Sequence, residues 1–91
     1  MLGDTTVQHA EKAKTLLVML NTAVSEWPLA QTCSARYERL RVMQNLSERA
    51  QTHIRSMITS ALQYDLADTA RQINKQVMRL EKTFREECIR P

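Results

Sequence analysis

The stretch Leu66–Cys88, LADTARQINKQVMRLEKTFREEC, decides the fold. Leu66, Ala70, Ile73, Val77, Leu80 and Phe84 recur at alternating steps of four and three, which draws one apolar seam along a helix that packs on other helices. Arg71, Lys75, Arg79, Lys82 and Arg85 fall on the opposite side. One face is made for a core, the other for water or a partner.

Working outward, Tyr64-Asp65 reads as the break before this helix. Asp65 is the expected cap, and Asp68 adds a carboxylate near the positive end of the helix dipole. Ahead of it, Leu40, Met43, Leu46, Ala50, Ile54, Met57 and Ala61 mark a long second helix that reaches about Gln63, with Val42, Ile58 and Leu62 beside the stripe. Thr32 and Ser34 are its candidate caps. The Asn45-Leu46-Ser47-Glu48 stretch offers a fresh start, so a kink or break in helix two is admitted there.

Pro28 cannot sit inside a helix without removing a hydrogen bond and clashing with the preceding turn, so Trp27-Pro28 ends helix one. That helix starts near Thr5, where Thr5 and Gln8 form a capping-box pattern. Its seam runs through Ala10, Ala13, Leu17, Leu20, Val24 and Trp27. Three helices with short links predict a single domain over residues 1–91, all-α, an antiparallel three-helix bundle running up-down-up.

Composition agrees. One glycine and two prolines are too few for a hairpin-rich sheet, and Trp27, Tyr37, Tyr64 and Phe84 are too few for stacking-based nucleic-acid readout. A formal charge of +3 permits an anionic partner without requiring one. No apolar run is long enough to span a bilayer, and no secretory or lipidation signal is visible. The expectation is a soluble intracellular protein. Cys33 and Cys88 come to the same pole in this topology, so a disulfide is geometrically conceivable, but two cysteines in a reduced interior are expected to stay unpaired thiols.

No catalytic constellation emerges. His9 and His53 stand in no triad or metal-binding spacing and are read as surface or boundary residues; no glycine-bearing elbow or phosphate loop accompanies the serines and carboxylates. No enzyme activity, metal or cofactor is expected. Two surfaces are more informative. Leu16, Val18, Met19 and Ala23 lie off the helix-one seam, which leaves that helix apolar nearly all round and marks a protein interface, with a partner or a second copy covering Val18 and Met19. Arg71, Lys75, Met78, Arg79 and Lys82 form a secondary basic face with one apolar anchor, where like charges four residues apart cost a few tenths of a kcal/mol per pair.

The segment Leu62-Gln63-Tyr64-Asp65-Leu66-Ala67-Asp68, with the helix from Ala70 to Met78 behind it, resembles the helical domain of steroid receptor RNA activator protein, a domain type also found in the outer subunit of the COPII coat. Tyr64 stands where that protein is expected to have tryptophan, and the chain has no room for the domain's extra helix. The resemblance implies a protein-interaction module inside a larger assembly and carries over no catalytic residue. The expected function is therefore a non-catalytic helical adaptor or small subunit. The alternatives are an RNA-associated protein binding phosphate through the basic face, and a helical chaperone for an assembling or secreted client.

Overall fold

In the computed structural model, which describes residues 4–89, three α-helices fold into an all-α antiparallel bundle: α1 (Asp4–Ser25), α2 (Cys33–Arg55) and α3 (Ala61–Phe84). A 3-10 turn, Trp27–Leu29, follows α1, and a π-helical turn, Arg85–Ile89, extends α3. Every helix packs on both others. The seams read from the sequence converge on one core, with Leu20 of α1 and Met43 of α2 fully enclosed and Leu66, Ile73, Val77 and Phe84 closing it from α3.

The first boundary follows the local chemistry. Pro28 occupies the 3-10 turn, where its missing N–H costs nothing, and Thr32 in extended geometry accepts a hydrogen bond from the Ala35 amide at 3.0 Å to start α2. Thr5 lies inside α1, whose first described residue is Asp4, so Thr5 is not its cap. The adjacent Thr6 is buried, and its hydroxyl accepts from the Ile58 amide at 3.4 Å across the bundle.

Helix two departs from expectation only at its end. It runs unbroken through Asn45–Glu48, because the buried Ser47 hydroxyl donates to Asn74 Oδ1 on α3 at 3.3 Å instead of starting a new helix. It then ends at Arg55, not near Gln63. Ser60, extended at φ −164°, accepts from the Gln63 amide at 3.2 Å and caps α3, while the Gln63 side-chain amide donates to the carbonyls of Ile54 and Met57 at 2.8 and 3.1 Å. One residue thus serves the start of α3 with its backbone and the end of α2 with its side chain. Tyr64 and Asp65 lie within α3, so Asp65 does not cap it. Met57, buried in the connection, plugs the core between the two helices.

The ends of α1 and α3 and the start of α2 share one pole. There Cys33 and Cys88 are disulfide-bonded, with Cα atoms 5.7 Å apart, which corrects the expectation of free thiols. The topology supplies the proximity. The π-helical turn carries Cys88, and Arg36 beside it binds three partners: its Nε donates to the Ala30 carbonyl at 3.0 Å, its Nη1 donates to Glu87 at 2.6 Å, and its guanidinium lies 5.8 Å from the centre of the Trp27 ring. Arg39 pairs with Glu26 at 3.1 Å and ties α2 to the end of α1.

Candidate protein-interaction surface

Helix α1 carries no charged side chain between Thr15 and Ser25. A helix face turned to water normally bears charges, so this bare stretch marks where water is least suited to be the neighbour. The four residues singled out there have different fates. Leu16 is buried at 5% exposure and belongs to the core, so it is not free to meet a partner; the three-helix packing rotates its Cβ inward beside Leu17. Val18 remains 66% exposed and Met19 48% exposed. Ala23 is half-buried against the core edge.

The exposed pair occupies opposite shoulders of α1. Val18 leans into an open groove between α1 and α3, with Leu17, Leu66 and Ile73 as its floor and amide and hydroxyl side chains such as Asn21, Gln72 and Gln76 as its walls. Among the described residues, Lys14 is the only charged one lining it. Met19 leans the other way, into an α1–α2 groove with Leu16, Arg49 and His53, while Ala23 lines a separate hollow with Val42, itself 52% exposed. The residues are therefore two flanks of one ridge, not a single patch. Successive residues on a helix point about 100° apart, which is why Val18 and Met19 part company.

On α3 the basic face is present in most of its members. Arg71 is paired with Asp68 at 3.4 Å and borders the α2–α3 groove beside Arg55. Lys75, Arg79 and Lys82 are exposed and, among the described residues, join no ion pair; Met78 among them is 60% exposed. Arg85 is held by Glu81 one turn earlier. Lys75, Arg79 and Lys82 lie on the outer side of α3 and do not line the groove toward α1.

One arrangement had no signal in the sequence. His9 of α1 and His53 of α2 meet with their Nδ1 atoms 2.9 Å apart and ring centres at 5.1 Å, at the pole opposite the disulfide. Their 44-residue separation matches no local spacing rule. Burial, followed by the charges of His9, Lys12 and Arg49, holds His53 below its ordinary value. Among the described residues no three His, Cys, Asp or Glu side chains converge as a metal site, and no helix is long and apolar enough to cross a membrane. No family model, curated protein or solved structure matches the chain.

Proposed function

We propose that this chain is a non-catalytic protein-interaction module that seats an amphipathic helix of a protein partner in the α1–α3 groove. The carrying observation is the exposed Val18 beside an apolar floor on a stretch of α1 without charge, with the exposed Lys75 and Arg79 on α3 outside the groove lining. An apolar seam on the incoming helix covers Val18 and the floor. Its flank toward α3 carries carboxylates that meet Lys75 and Arg79, where the repulsion between these like charges is relieved by the partner.

The Cys33–Cys88 disulfide favours an oxidising compartment over a thiol-reducing one as the working environment. This reading replaces the reduced interior expected from the cysteine count alone.

The test is site-specific photo-crosslinking in the native cell from position 18, with exposed Glu48 on α2 as the control position. The expected product joins position 18 to an acid-flanked amphipathic helix of another protein, and the Lys75→Glu, Arg79→Glu double variant abolishes it. Crosslinks only to a second copy of this chain, equal capture from position 48, or capture that charge reversal leaves intact would each sink the proposal. Capture of RNA from the basic ridge, weakening steeply with added salt, would favour phosphate binding instead.

A further inference from the structure

At the pole away from the disulfide, the polar contacts that tie α1 to its neighbours among the described residues are the His9–His53 contact and the long Thr6–Ile58 hydrogen bond. Two Nδ1 atoms at 2.9 Å share one hydrogen, so one ring donates and the other accepts. A neutral pair satisfies this, as does a pair carrying one extra proton. A doubly protonated pair does not, because both Nδ1 atoms then carry hydrogens directed at each other and two cationic rings stand 5.1 Å apart.

The surroundings oppose the second proton further. On α1, Lys12 acts on His53 and Glu11 lies in the same groove wall; on α2, Arg49 stands one turn before His53. Residues 56–63, which form the connection and the first turn of α3, contain no charged side chain. Glu11 is thus the one carboxylate in that groove wall, against two cations. Both histidines are half-buried.

We infer that the His9–His53 pair is an acid-sensitive clasp, whose double protonation lifts the first half of α1 from α2 while the contacts of Arg36 and Arg39 hold the far end of α1 in place. The bundle opens as a hinge rather than unfolding, because Arg36 holds the Ala30 carbonyl and the Trp27 ring and Arg39 holds Glu26 where α1 turns into α2, while the disulfide joins α2 to the end of α3. The opening exposes the inner side of α1 near Ala10 and Ala13, which are buried in the closed state. This inference stands apart from the identity of any partner in the α1–α3 groove.

The experiment is amide hydrogen exchange of the oxidised full chain across acidification from about pH 7.5 to about 5.0, with rates corrected for intrinsic exchange; this window spans ordinary histidine titration. Amides at positions 8–14 are expected to lose about tenfold or more in protection, while those at 36–46 hold theirs. Asparagine places a polar atom near the Nδ1 position and does not titrate, so His9→Asn and His53→Asn should each reduce that loss to about threefold or less. A parallel NMR measurement over the same interval keeps the question decidable if either variant misfolds: a hydrogen shared between the two Nδ1 atoms should be seen at about pH 7.5 and be lost where the amide protection falls. Unchanged wild-type protection, the same loss in folded asparagine variants, or a shared Nδ1 hydrogen that persists while protection is lost would overturn the clasp.

Discussion

Reducing the Cys33–Cys88 bond, or replacing both cysteines in a Cys33→Ser, Cys88→Ser variant, should cost this bundle a large part of its stability. The cysteines lie 55 residues apart, so the bond closes most of the chain into a loop in the unfolded state. Chain-entropy reasoning gives about 4 kcal/mol for a loop of that length. In a domain this small each kcal/mol moves the midpoint by about 4–8 °C, so the thermal transition should fall by about 15–30 °C. Far-UV circular dichroism melts with and without reductant measure the shift, and alkylation with intact-mass analysis confirms the thiol state. The buried core is assembled from all three helices and does not include the bond, so the reduced chain should still fold at low temperature with its helix content nearly unchanged. A denaturant series should also show a larger slope for the reduced chain, because its unfolded state exposes more surface. A fall of less than about 5 °C on verified reduction would refute the entropic reasoning. Two alkylated thiols in protein purified without reductant would refute the bond itself.

Other perturbations probe the remaining joints. Gln63→Ala removes the side-chain amide from the Ile54 and Met57 carbonyls and should cost about 1–2 kcal/mol in a urea melt, with faster exchange at the end of α2 as its local signature. Leu20→Ala empties a fully enclosed site and should cost about 3–5 kcal/mol, whereas Val18→Ala, two residues earlier and exposed, should shift a urea melt by less than about 0.5 kcal/mol. Burial and the neighbouring cations set His53 below its ordinary value in the folded state, so the unfolded chain binds the proton more readily. Stability from this group is complete above the unfolded value and is lost as pH falls through the lower folded value; urea midpoints that rise as pH drops from about 7 to 5 would contradict this sign.

The helices themselves are written locally. A seam such as Leu66–Phe84 declares its own period, because side chains three and four residues apart share a face whatever the helix later touches. Pro28 and Thr32 are equally local, since ring geometry and a reachable hydroxyl act within one turn. The boundary between α2 and α3 was also legible in principle. Ser60 with Gln63 three residues on is a capping pattern, but the apolar stripe through Met57 and Ala61 masked it. Met57 is buried from a connection rather than from a helix, a difference that apolar spacing does not register.

What only the tertiary structure decided depends on how the helices are rotated and shifted against each other. Leu16 and Val18 look equivalent as off-seam apolar residues, yet the bundle enclosed one and left the other exposed. The topology brought Cys33 and Cys88 to a common pole, but a bond needed their Cα atoms at 5.7 Å, a distance set by the register of α3 on α2 and by the π-helical turn. His9 and His53 met for the same reason. Periodicity along one helix specifies which side faces inward, while the partner across the interface is specified by packing summed over all three. The sequence by itself therefore determined the number of helices, their buried faces and their antiparallel order; the pairing of distant side chains, and with it the clasp, the disulfide and the groove beside Val18, came from the packed bundle.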